Sequence, residues 1–159
     1  MPSDAVPAAS TVDDPTKAAA LRAAITGDAN LATMRQLYAA ISKRDFGAAM
    51  QVLDPDVVFD TPEGQAYVGG HHVGRDAATR NVWGRLAQDW DPINAEVADM
   101  TALSDGRVLA TGRYRGTLKS NGSRLDAAFA HLWTVKDGRA LYLKVFTDTA
   151  IWNKAWGAP

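Results

Sequence analysis

The chain has 159 residues, no cysteine, a formal net charge of -1, and is 47% hydrophobic and 22% charged. That composition excludes disulfides, thiolate catalysis and cysteine-based metal sites. It leaves no basic footprint for nucleic acid and no polybasic cluster for a membrane surface, and no apolar run approaches the ~20 residues of a membrane span.

Residues 1–13, rich in Ala, Pro, Ser and Asp, read as a solvated tail that the fold does not need. Residues 14–159 read as one domain. The start has neither a positive n-region nor an apolar h-region, so it does not read as a signal peptide, and a cytoplasmic location is expected.

Asp14-Pro15 reads as the cap and first residue of a short helix that Gly27 stops. A second helix, capped by Asp28 or Asn30, carries Leu31, Met34, Leu37, Tyr38 and Ile41 at helical spacing. Asp45 starts a third, ended by Asp54-Pro55, and Val57-Val58-Phe59 reads as a short strand. Gly69-Gly70 and Gly74 punctuate a loop holding His71 and His72. Adjacent residues of an extended chain point opposite ways and no other ligand cluster is near, so no metal site is expected. A helix over Asp76–Asp89 follows, with Ala78, Val82, Leu86 and Trp90 in one stripe.

In the last third Asp105-Gly106, Asn121-Gly122 and Asp137-Gly138 recur every 16 residues as two-residue hairpin signals. The segments between them predict a four-stranded antiparallel meander over residues 94–104, 107–120, 123–136 and 139–149. Helices first and a long curved sheet after is an α+β pattern. With two-residue turns, His131 pairs with Lys144, Phe129 with Phe146 and with Tyr114, Asp126 with Thr117, and Arg115 with Glu96. One face then carries Tyr114, Phe129, His131, Trp133, Tyr142, Lys144, Phe146 and Asp148. The other carries Arg113, Arg115, Asp126, Ala128, Ala130, Leu132, Leu143 and Val145. Neither is a solvated face. The helices can cover one, and a second copy of the chain is expected on the other. His131 and Asp148 come out roughly 13 Å apart along the strand, too far for a direct pair unless a β-bulge shifts the parity.

The strings LYAAISKRDFGAAMQVLDPDVVFDTPEG, VGRDAATRNVWGRLAQDWD, TGRYRGTLKSNGSRLDAAFAHLWTVKDG and LYLKVFTDTA resemble the SnoaL-like, ketosteroid-isomerase-related branch of the nuclear transport factor 2 superfamily over residues 31–150. The resemblance implies a cone-shaped curved sheet wrapped around N-terminal helices and one deep apolar pocket. It also implies dimers through the outer sheet face. By likeness to related epoxide hydrolases, Arg113, Arg115 and Val145 fall at cup positions, which makes the His131 face the outer one. The isomerase base position falls at Thr61, within Asp60-Thr61-Pro62. The oxyanion tyrosine falls at Leu37, beside Tyr38, and the oxyanion-hole acid at Ala130. His131 and Asp148 resemble, in rough order, the His and Asp of the polyketide cyclases.

The catalytic candidates are therefore Asp126, Arg113, His131 and Asp148, with Arg115, Tyr38, Thr61, Asn81, Leu132 and Val145 as substrate contacts. Each has an ordinary alternative: an interface His131, an Asp148 that caps the C-terminal helix, and Arg113, Arg115 and Asp126 in surface ion pairs. The expected activity is that of an enzyme without a cofactor, using acid/base chemistry on a small apolar or aromatic carbonyl compound: an isomerase, cyclase or dehydratase. The alternative is a non-catalytic small-molecule-binding or dimerisation module of the same fold.

Overall fold

A computed structural model describes residues 14–157; the expectation for residues 1–13 falls outside the described residues. Helix α1 (Pro15–Ser42) starts as the sequence predicts, with the Asp14 carboxylate accepting from the Thr16 N–H and Pro15 in the first turn. It does not stop at Gly27. A glycine inside a helix costs only about 1 kcal/mol. Here the missing side chain lets the helix lie against Ala102, whose Cβ would be 3.1 Å from any Cβ at position 27. Asn30, expected as a cap, is buried mid-helix. Its amide donates to the carbonyls of Gly106 at 2.8 Å and Val135 at 3.4 Å, which ties the helix to the sheet.

Helix α2 (Phe46–Val52) is capped by Asp45, and β1 (Leu53–Thr61) follows directly. The glycine-flanked loop expected around His71 and His72 is instead strand β2 (Gly70–Val73), antiparallel to β1. The next helical run is α3 (Arg75–Ala78), a π-helical turn (Thr79–Gly84) and α4 (Arg85–Asp89). The meander is β3 (Trp90–Ala102), β4 (Val108–Leu118), β5 (Arg124–Lys136) and β6 (Arg139–Thr147), closed by α5 (Thr149–Trp156). Among the described residues the strands form one six-stranded sheet in the order β2-β1-β6-β5-β4-β3. The fold is α+β, and the sheet is mixed because β1 joins β6 in parallel. No described helix is long and apolar enough to cross a membrane.

The registers correct the expected pairings. Only Asp137-Gly138 is a true two-residue turn, with positive φ at both residues (51° and 73°) and Lys136 paired with Arg139. Past that turn Val135 pairs with Ala140 but Thr134 with Tyr142, so Leu141 is an extra residue, a β-bulge. It turns over the rest of β6. His131 pairs with Val145, and Phe129 with Thr147, not with Lys144 and Phe146. At the other two turns the loops are longer than two residues: Ala102 pairs with Val108, and Thr117 with Arg124. Phe129 consequently faces Gly112, Asp126 faces Arg115, and Glu96 faces Arg113.

The inner face thus carries Tyr114, Phe129, His131 and Trp133 together with Leu143 and Val145, packed on helix residues such as Met34, Leu37 and Val82. The aromatic face expected to form a dimer contact lies under the helices. Of that set Tyr142, Lys144 and Phe146 are outside, Phe146 being 51% exposed. A second cluster, built on Trp90, Leu118, Leu125, Ala127 and Trp152, seats α5 against the far end of the sheet.

Candidate functional site

The concave face of the sheet, α1 and the helical run after β2 enclose a cavity of ≈ 100 Å³. Its wall is mostly Ile, Leu, Val and Trp side chains, with Tyr38, Thr61, Gln65, Tyr114 and His131 as the polar groups and Arg44 as its cation. A dry engineered cavity of about 150 Å³ takes benzene, so the space suits a ligand of one ring at most. Among the described residues no carboxylate lines it.

At its centre stands His131, buried on β5 between two tyrosines on different elements. The Tyr38 hydroxyl of α1 lies 2.6 Å from Nδ1, and the Tyr114 hydroxyl of β4 lies 2.5 Å from Nε2. Trp133, two residues along β5 on the same face, donates its indole N–H to the Tyr38 oxygen at 2.9 Å. The rings pack closely as well, Phe129 stacking on His131 at 4.1 Å and Tyr114 lying 4.7 Å from Phe129. Burial pulls the His131 imidazole down to about 3, so it is neutral near pH 7. Burial pushes both phenols well above the ordinary tyrosine range, so both keep their protons.

The proton count follows. A neutral imidazole donates through one nitrogen and accepts through the other. The tyrosine that faces the accepting nitrogen uses its proton there. The tyrosine that faces the donating nitrogen has its own proton left for something else. The Trp133 N–H polarises the Tyr38 hydroxyl and makes it the better donor, which favours Tyr38 O–H to Nδ1, Nε2–H to Tyr114, and a Tyr114 proton free to point at a ligand.

The remaining sequence candidates scatter. Val145 lines the cavity, as does Thr61, whose hydroxyl is spent on the carbonyls of Val68 at 2.5 Å and Gly70 at 3.1 Å. Its neighbour Asp60 points out of the cup and accepts from Tyr142 at 2.6 Å and Lys144 at 2.7 Å; these bonds hold its carboxyl below the usual range. Arg113, Arg115 and Asp126 sit on the outer face, where Arg113 pairs with Asp126 and Arg115 with Glu96 at 2.7 Å. Leu132 shares that face. Strand alternation puts Leu132 and Val145 on opposite sides once Leu141 bulges. Asn81 is exposed on the π-helical turn and absent from the cavity wall. Asp148 caps α5, accepting from Ile151 N–H at 3.1 Å, and does not reach His131.

The sequence matches the SnoaL-like domain over residues 34–143. The chain belongs to the SnoaL-like family. An uncharacterized protein of Mycobacterium tuberculosis is 29% identical over 133 residues, covering 83% of this chain and 99% of the relative. Among solved structures, an NTF2-like protein from Burkholderia thailandensis superposes with a TM-score of 0.74 at 28% identity, over 80% of this chain and 96% of that one. A candidate polyketide cyclase from Xanthomonas campestris shares the fold, with a TM-score of 0.68 at 20% identity over 80% of this chain and 96% of that one.

Three polar or charged residues of this SnoaL-like cup, Tyr114, Gln65 and Arg44, were not singled out from sequence as ligand contacts. Tyr114 shares a face with His131 by strand alternation alone, and only the assignment of that face to the outside hid its role. Gln65 lies in a turn with no periodicity to report its direction.

Proposed function

We propose that this SnoaL-like protein is an enzyme that needs no cofactor and moves a proton on a small, largely apolar carbonyl compound of about one ring. The observation that carries this reading is the buried imidazole of His131, bonded through both nitrogens to the hydroxyls of two tyrosines that line the cavity. With no carboxylate there among the described residues, the base is the relay itself. Tyr114 gives its proton to the substrate carbonyl oxygen and takes the Nε2 proton. Nδ1 takes the Tyr38 proton, and the Tyr38 oxygen takes a proton from the carbon next to the carbonyl. The C–H bond breaks, its electron pair forms the C=C bond of the enol, and His131 ends as the other tautomer. No step builds a full charge in the apolar cup, where a lone charge would be costly. Running the relay back onto another carbon completes an isomerisation.

The lack of a lining carboxylate also supports a second reading, a carbonyl-binding module without turnover. Cyclohex-3-en-1-one in D2O separates the two. An enzyme exchanges its α-protons by NMR above the buffer rate and builds the absorbance of the conjugated enone. Tyr38→Phe and Tyr114→Phe then lose exchange by ~10²-fold or more. Binding of the ketone without exchange above background establishes the module.

A further inference from the structure

From the turn between β1 and β2 we infer that Gln65 determines specificity, by accepting a hydrogen bond from a hydroxyl on the carbonyl ligand. This rests on the carbonyl-cup reading above and names the substrate class more narrowly: a hydroxylated, single-ring carbonyl compound.

Gln65 lines the cavity, is only 6% exposed, and its buried Oε1 has no hydrogen-bond partner among the described residues. A buried carbonyl oxygen without a partner carries its desolvation cost unrelieved, so such groups are rare unless a ligand completes them. Nor is the turn loose. Asn153 of α5 accepts from the Ala66 N–H at 2.9 Å and donates to the Gly64 carbonyl at 2.8 Å, gripping the residues on either side of Gln65. The Gln65 backbone bonds Pro62 and Gly69 within the turn. At Gly69 a Cβ would lie 2.4 Å from the Pro62 carbonyl oxygen and 2.7 Å from that of Gln65, so the chain is wound as tightly as glycine allows. Next to it Tyr67, with φ 50°, is pinned by its stack on Trp156 at 4.2 Å and by the Trp90 N–H at 2.8 Å. The fold thus holds Gln65, a wall residue that carries an unpaired acceptor, on a rigid turn. The tyrosines supply a donor to the ligand's carbonyl, and Gln65 asks for a donor from it.

The test compares benzaldehyde with its 2-, 3- and 4-hydroxy isomers at a pH below ionisation of the phenols, titrated against the full chain by ligand-observed NMR. These aldehydes have no α-proton, so they report binding alone. At least one hydroxy isomer is expected to bind ~10-fold or more tightly than benzaldehyde, the worth of one good hydrogen bond. Gln65→Met, close in volume, should erase that preference to within about twofold, the hydroxy isomers losing far more affinity than benzaldehyde. It should also raise the melting temperature, because it removes the unpaired acceptor. Equal binding of all four aldehydes, or a preference that survives Gln65→Met, overturns the inference and leaves the carbonyl cup standing. If no aldehyde binds, the cup reading itself fails and takes this inference with it.

Discussion

The indole N–H of Trp133 reaches the Tyr38 oxygen at 2.9 Å, and this one bond gives direction to the chain of hydroxyls and imidazole beyond it. It favours the His131 tautomer protonated at Nε2. In ¹⁵N spectra of labelled protein, His131 should therefore show a protonated Nε2 and a bare Nδ1. Trp133→Phe, which removes the donor, should shift the pair of signals towards a mixture of tautomers. A wild-type spectrum with the proton on Nδ1 would reverse the relay.

The depressed His131 pKa makes a prediction about stability and pH. An unfolded histidine titrates near 6.5, whereas His131 in the fold titrates at about 3. Between these values the unfolded chain binds the extra proton, so stability is fully present above pH 6.5 and is lost as pH falls towards 3. From pH 6 to 4.5 the unfolding free energy should drop with a slope approaching 1.4 kcal/mol per pH unit from this group. Paired carboxylates such as Asp60 and Asp126, held low by their hydrogen bonds, add their own loss only below about pH 4. Urea melts of wild type and His131→Gln across that window check it, the variant lacking the slope.

On the outer face the expectation reverses the one drawn from family likeness. Arg113→Ala breaks a solvent-exposed ion pair with Asp126 and touches nothing in the cup. Such pairs contribute little. Ligand affinity and α-proton exchange should match wild type, and the melting temperature should barely move. A large loss of ligand binding would bring the outer arginines back into the site.

We also expect a homodimer through that outer face, with Phe146, half exposed beside Ala128 and Ala130, near its centre. Light scattering of the full chain should give twice the chain mass, and Phe146→Glu should return the monomer with the cup's ligand binding intact. A monomeric wild type would remove the expectation.

How far the sequence could be read follows from the range of each signal. Local signals were legible: Asp14, Asp45 and Asp148 cap the helices, and Asp137-Gly138 makes its tight turn, because these depend on neighbours in the chain. Strand alternation correctly put Tyr114, His131 and Trp133 on one side. What could not be read was which side. That depended on Leu141, an unremarkable residue whose insertion only a cross-strand partner reveals. Gly27 misled for a similar reason: a stop signal and a close-packing position look the same until Ala102 is placed against it. The family resemblance identified the fold, yet it carried Arg113 and Arg115 into a cup they do not enter.

The bulge at Leu141 has a bearing on how a protein of this kind can change. One residue inserted beside Leu141, with a single bulge kept, would push the rest of β6 on by one place and present Tyr142, Lys144 and Phe146 to the cavity in place of Leu143 and Val145. A lineage that gains a residue there exchanges a greasy wall for one bearing a phenol and an amine in a single event, with the other strands untouched. Substitution alone would need several coordinated steps to do the same. Insertions at the start of the last strand are therefore where new chemistries on this scaffold should be sought.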